Sequence, residues 1–197
     1  MRKSCRRDWN NFKHSPTAKW SDEEFVAFCQ ANRELKIERN SIGDIIIMPP
    51  TGWGSGDRNA KITYQFRAWS RKSDLGLSFD SSTGFKLPNG AVRSPDAASV
   101  KRDRREAINP EPEKFLPLAL YFVMELRSGS DSLKTLQEKM QEYVDNNVRL
   151  GWLIDIQNKQ VEIYKLGQQK EVWEQPLSVY RESVLPNFML DLQAIWS

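Results

Sequence analysis

The segment "LALYFVMEL", residues 118–126, constrains the fold most. It is a continuous apolar run with no polar alternation, the pattern of a central strand covered on both faces. A sheet covered on both sides needs packed layers above and below it, so the expected class is α/β or α+β, a mixed central sheet flanked by helices. The run also ends on an acid, Glu125, where removal from water is severe. The longest apolar stretch, "FLPLALYFVM", is too short to cross a bilayer as a helix.

The rest of the chain supplies the layers. "SDEEFVAFCQAN" predicts a helix with Ser21 and Glu24 as a capping box and Phe25, Phe28 and Cys29 on one face. "ELKIERNSIGDIIIMPP" predicts a hairpin turning around Ser41–Gly43. "TGWGSGDRN" reads as a glycine-rich loop, followed by a helix from about Arg58 to Asp74 with Ile62, Phe66 and Trp69 inward. "GLSFDSS", "TGFKLPNGAV" and "SPDAASV" read as short extended pieces, and "KRDRREAINPEPEKFL" as a loop. "SDSLKTLQEKMQEYVDNN" predicts a helix with Ser130 or Asp131 as N-cap. "RLGWLIDIQNKQVEIYKL" predicts a second hairpin turning at Gln157–Lys159, "EVWEQP" another strand, and "LPNFMLDLQAIW" a short docking helix or turn. Residues 1–19 read as an extended or disordered basic lead-in, and 20–197 as one domain.

Composition excludes several chemistries. His14 is the only histidine, so a serine or cysteine triad lacks its base and zinc lacks imidazole ligands. Cys5 and Cys29 are too few for a disulfide framework, and a reducing cytoplasm fits them best. The basic N-terminus is not followed by the apolar core of a secretory signal. Chemistry, if present, falls to carboxylates and lysines, which favour a hard cation such as magnesium or manganese. The net charge is only +3, but "MRKSCRRDW" and the run Lys101, Arg102, Arg104, Arg105 are locally basic. They read either as solvated segments or as a phosphate-facing rim.

Pro95–Asp96 lies in a short extended segment, and neighbouring strands would bring Asp96 beside Glu125. Two such acids repel unless a proton or a cation holds them together. Leu133, Leu136, Met140, Tyr143 and Val144 form a core-facing stripe on the next helix, and at about 100° per residue Lys139 sits roughly 90° from its centre. There a lysine either stays solvated beside Glu138 and Glu142 or reaches over the sheet with its stem buried.

Asp96 after proline, Glu125 ending an apolar strand and a helical Lys139 together resemble the PD-(D/E)XK nuclease-like superfamily. Within it, "IERNSIGDIIIMPPTG", "STGFKLPNGAVRSPDAASV", "VMELRSGSDSLKTLQEKMQEYVDNNVRLGWLID" and "VLPNFMLDLQAIW" resemble the Uma-type restriction endonuclease family, over residues 20–197. The resemblance implies a restriction-endonuclease-like fold and a metal-dependent endonuclease acting on DNA. It implies Asp96 and Glu125 as ligands of Mg2+ or Mn2+, completed by the backbone carbonyl of Leu126. It implies Lys139 in the role that most of the superfamily gives to a lysine two residues after the glutamate. It also implies Glu38 as an outer metal or water ligand.

The chain departs from the superfamily pattern at that usual lysine position, which is Arg127. Arginine stays protonated and cannot be a base. It would either neutralise phosphate charge or pair with Glu125 and displace the metal. The serines and glycine after Arg127 suggest that the strand stops before it. Lys101, Arg102, Arg104 and Arg105 would grip the DNA backbone. "GWGSG" before a helix is similar to a phosphate-cradling loop but lacks the Gly-Lys-Ser/Thr ending of a P-loop. A second reading keeps the fold without the chemistry, as a nucleic-acid-binding or assembly module. A homodimer is expected from the family and from seven tryptophans, more than one small core readily hides.

Overall fold

The computed structural model describes residues 20–73, 76–108, 111, 115–118, 120–181 and 183–196. The expected lead-in 1–19, with Cys5 and His14, lies outside the described residues, as does Asp74. In chain order the elements are α1 (Asp22–Ala31), β1 (Lys36–Arg39), β2 (Ile45–Met48), α2 (Trp53–Ser73), β3 (Gly76–Asp80), β4 (Phe85–Lys86), β5 (Val92–Arg93) and β6 (Ala97–Lys101). Then follow α3 (Arg102–Glu106), β7 (Phe122–Arg127), α4 (Leu133–Asp145), β8 (Leu150–Asp155), β9 (Gln160–Lys165), β10 (Glu171–Glu174), β11 (Ser178–Tyr180), β12 (Met189–Asp191) and α5 (Gln193–Trp196).

The central sheet runs β10-β9-β8-β7-β6-β3. Only β7 and β8 are parallel within it, joined by the crossover helix α4. This is the mixed sheet that the apolar run requires, and Phe122, Val123, Met124 and Leu126 of β7 are buried. Alternation divides their side chains between two cores. Phe122, Met124 and Leu126 face α2, α5 and the small β11-β12 sheet, where Phe66, Phe188 and Trp152 pack ring against ring. Val123 faces α4, with Met140, Tyr143 and Val144. On that side Gly151 lets the helix come close, since a Cβ there would stand 2.4 Å from the Met140 methyl. A smaller sheet, β2-β1-β5-β4, carries α1 on Phe25, Phe28, Ile37 and Val92.

The capping box forms as expected: Glu24 N–H donates to Ser21 Oγ, and Ser21 N–H to Glu24 Oε2. The first hairpin turns at Gly43, whose φ of 99° favours glycine. Four expectations shift. The "GWGSG" loop is the first turn of α2, with Gly56 N–H already bonded to the Gly52 carbonyl. The "KRDRRE" part of the expected loop is the short helix α3. The N-cap of α4 is Ser132, because the Asp131 carboxylate is turned back onto Ser128 N–H. β7 runs on through Arg127, held there by register with Asp155 on β8.

The six tryptophans among the described residues are largely absorbed by the chain's own packing. Trp152 is fully buried, Trp20, Trp69, Trp173 and Trp196 are partly buried, and Trp53 is 90% exposed. Among the described residues, no helix is long and apolar enough to cross a membrane.

Candidate active site

Antiparallel register fixes the first pair. β6 and β7 pair Ala97 with Met124 and Ala98 with Val123, so one step further Asp96 falls opposite Glu125 on the α4 face of the sheet. The chain bends at Asp96, and its Oδ2 accepts a hydrogen bond of 2.9 Å from Leu126 N–H. In an extended strand a residue's N–H and C=O point to the same side. The Leu126 carbonyl therefore faces the β6 side, where Asp96 sits. Asp96 Oδ1 takes a long hydrogen bond of 3.4 Å from Asn59 on α2 and has Lys36 Nζ at 3.7 Å.

Glu125 is buried, and its Oε1 accepts from Tyr143 Oη at 2.9 Å and from Lys139 Nζ at 2.8 Å. Neither partner occupies Oε2. Lys139 Nζ also donates to Glu38 Oε1 at 2.9 Å. Glu38 further accepts from Ser94 N–H and from Arg93, whose Nε reaches Glu142. The lysine at the margin of the α4 stripe thus reaches over the sheet and is only 11% exposed. An ammonium has three donors. Two go to these carboxylates and one is left.

The electrostatics follow from burial and neighbours. Burial pushes the Glu125 carboxyl up to about 7; Lys139 pulls against this, and the charges of Asp96 and Glu38 add to it. Burial works against the Lys139 ammonium, but Glu125 and Glu38 outweigh it and raise its pKa. Burial also opposes the Glu38 charge, yet Lys139, Arg93 and the Ser94 N–H hold its pKa below the usual range. Burial, then the charges of Glu125 and Glu38, keep the Tyr143 hydroxyl protonated.

Of the residues singled out in the sequence, Asp96, Glu125, Leu126, Lys139 and Glu38 converge. Arg127 does not join them. It shares the Glu125 face, but its guanidinium pairs with the fully buried Asp155 at 2.9 Å and donates to the Asp131 carbonyl. Asp155 also accepts from Gln157 and Asn158 N–H groups, so Arg127 braces the second hairpin and does not pair with Glu125. Lys101, Arg102, Arg104 and Arg105 lie at the other end of β6. The five residues of that strand set them roughly 16 Å from Asp96.

Sequence reasoning missed Tyr143, Arg93, Asn59 and Lys36. Tyr143 stands four residues after Lys139 and passed for ordinary core. Arg93 stands three residues before Asp96. Asn59 and Lys36 carry no local signal and arrive through tertiary packing.

A hard divalent cation fits this donor set. Among the described residues, no group of three or more His, Cys, Asp or Glu side chains makes a cage. The available donors are two carboxylates and a main-chain carbonyl, the open oxygen set that Mg2+ takes when waters and a substrate phosphate complete its shell.

Comparison with known proteins agrees in fold and family. The chain has the fold of a putative nuclease belonging to DUF820 from Anabaena variabilis, with a TM-score of 0.75 at 18% identity over 90% of this chain and 97% of that one. No curated protein matches it. Residues 22–193 match the Uma2 family model, described as "Putative restriction endonuclease". That match spans most of the chain, and the chain belongs to the Uma2 family.

Proposed function

We propose that the protein is a metal-dependent endonuclease that hydrolyses phosphodiester bonds of DNA. The observation that carries this reading is the facing pair Asp96 and Glu125, with Lys139 hydrogen-bonded to Glu125. Asp96, Glu125 and the Leu126 carbonyl would hold Mg2+ or Mn2+. Such a cation supplies Lewis acidity to a phosphate oxygen. The remaining donor of Lys139 would orient the attacking water or steady the charge that grows on the phosphate. Glu38 keeps Lys139 charged and aimed, and Tyr143 fixes the Glu125 carboxylate. Glu38 is thus a positioning residue, and Arg127 carries no part in the reaction. Lys101, Arg102, Arg104 and Arg105 would meet phosphates only at a distance from the scissile bond.

A second reading has its own observation. Lys139 already neutralises Glu125, and Lys36 stands 3.7 Å from Asp96. A chain that satisfies its acids internally would serve as a non-catalytic nucleic-acid-binding module. Cleavage assays on single- and double-stranded DNA decide between them. The nuclease reading expects cutting in Mg2+ or Mn2+ that is abolished by EDTA and by Asp96→Ala. Wild-type activity no higher than that of Asp96→Ala supports the binding module. A duplex cut on both strands needs two sites, which a two-fold homodimer would supply. A monomer mass by light scattering counts against that arrangement.

A further inference from the structure

Helix α2 presents two opposite faces. Ile62 and Phe66 point into the core. The opposite stripe recurs at spacings of three and four through Trp53, Asp57, Ala60, Tyr64, Arg67 and Arg71, and all six are exposed. Trp53 is 90% exposed and Tyr64 75%. The helix carries Arg58, Lys61, Arg67, Arg71 and Lys72 against Asp57 alone.

Beside this stripe a groove of about 640 Å3 runs between α2 and the β3–β4 turn, lined by Asn59, Thr63, Tyr64, Arg67, Arg71 and Asp80 among others. Asp80 is the one acidic residue in the lining, against two arginines, and its Oδ1 is engaged by the Ser82 N–H and hydroxyl. Arg67 is steadied by a 3.0 Å hydrogen bond to Ser78 Oγ. The groove leads to the candidate active site, because Asn59 lines it and donates to Asp96. Asn59 Oδ1 is buried with no hydrogen-bond partner.

We propose that this groove is the track of an unpaired DNA strand. A base stacks on Tyr64, Arg67 and Arg71 hold the backbone phosphates, and Asn59 marks where the strand meets Asp96. An exposed aromatic interleaved with cations on one face is the chemistry of single-strand binding, since every base offers a π-face and each phosphate a charge. In a duplex the bases are stacked on each other, and Tyr64 has nothing to stack on. The proposal rests on the nuclease reading for the identity of its ligand, but its test does not require cleavage.

The test is fluorescence anisotropy in EDTA with a fluorescein-labelled single strand of about 16 nucleotides, long enough to fill one such site, and with the matching duplex. Tyr64→Ala should weaken single-strand binding about tenfold, whereas Tyr64→Phe should not, because stacking needs the ring and not the hydroxyl. Duplex binding should be unchanged by Tyr64→Ala. Replacing Arg67 and Arg71 together with alanine should flatten the slope of log affinity against log salt by about 1.4. Melting temperatures should stay at the wild-type value, since Tyr64 is mostly exposed.

The proposal is overturned if wild-type protein fails to bind the single strand, or if Tyr64→Ala binds it as wild type does. An equal loss on the duplex also overturns it. So does binding that is lost through Arg102→Ala, Arg104→Ala and Arg105→Ala with Tyr64→Ala silent. Single-strand binding that depends on Tyr64 in a protein that never cuts would sink the nuclease reading and leave the groove standing.

Discussion

Glu125 and Glu162 sit in one cross-strand row, separated by Leu153, on the α4 face of the sheet. Each is 3% exposed. Each accepts from a tyrosine, Tyr143 at 2.9 Å and Tyr164 at 2.5 Å, and each has a lysine, Lys139 at 2.8 Å and Lys170 at 3.0 Å. The neighbours differ. Glu162 has a neutral third partner, Gln137 at 2.6 Å, and its lysine stem is 36% exposed. Glu125 feels Asp96 and Glu38, two further carboxylates, and its lysine is buried. Burial and a hydrogen bond to a lysine are common to both acids, and what sets Glu125 apart is the convergence of like charges, whose repulsion a cation would relieve.

The largest break in the comparison is expected in turnover. Glu125→Gln should reduce DNA cleavage to background while the protein stays folded. Glu162→Gln should leave the cleavage rate at the wild-type level and cost about 1–3 kcal/mol in urea unfolding, the cost of a mismatched buried group. Equal losses of activity in both variants would erase the distinction.

The two lysines sharpen it. Lys139→Ala should lower the cleavage rate on the order of a hundredfold, as for loss of a positioned donor at the phosphate. Lys170→Ala should leave the rate alone and cost under about 1 kcal/mol of stability, since its ammonium is partly solvated. A silent Lys139→Ala would assign the electrophile elsewhere.

The pH dependence has a definite sign. The Glu125 carboxyl lies at about 7 in the folded protein, above its ordinary 4.5. In the metal-free protein its contribution to stability is fully present below the ordinary value and is lost as pH rises through about 7. A cation competes with that proton, so Mn2+ affinity should rise about tenfold from pH 6 to pH 8. Thermal unfolding of metal-free Glu125→Gln should show the loss of stability between about pH 5 and pH 8 gone, and an unchanged loss would mean that another group titrates.

Arg127 should have the smallest effect on turnover. Removing it leaves Asp155 buried without its charge partner, which costs about 3 kcal/mol of stability. Arg127→Ala should therefore melt earlier yet, below its melting temperature, cut at the wild-type rate. A lost rate with unchanged melting would return Arg127 to the site.

The apolar run of β7, the capping box of α1 and both hairpin turns were legible because each is written in local pattern and turn chemistry. The pairing of Asp96 with Glu125 was legible as two acids in extended segments. Lys139 was legible as a stripe margin, though its reach to Glu38 was not, since that contact joins β1 to α4 across the fold. The reach of β7 through Arg127 was not legible, because its partner, Asp155, lies on β8 and only the parallel register brings the two together. The basic run at 101–105 looked adjacent to Asp96 in sequence, whereas an extended strand separates its two ends as far as a chain can. The α2 groove left no motif at all, because its aromatic and basic residues are spaced by helical turns and its floor comes from β3.

The most direct test of the central claim is Mn2+ binding by titration calorimetry at pH 8 to four proteins: wild type, Asp96→Asn, Glu125→Gln and Glu162→Gln. The expected result is one bound ion in wild type and in Glu162→Gln, and none in Asp96→Asn or Glu125→Gln. An ion that persists in the Asp96 and Glu125 variants but is lost in Glu162→Gln, or no binding by any of the four, would contradict the assignment of Asp96 and Glu125 as the cation-holding pair.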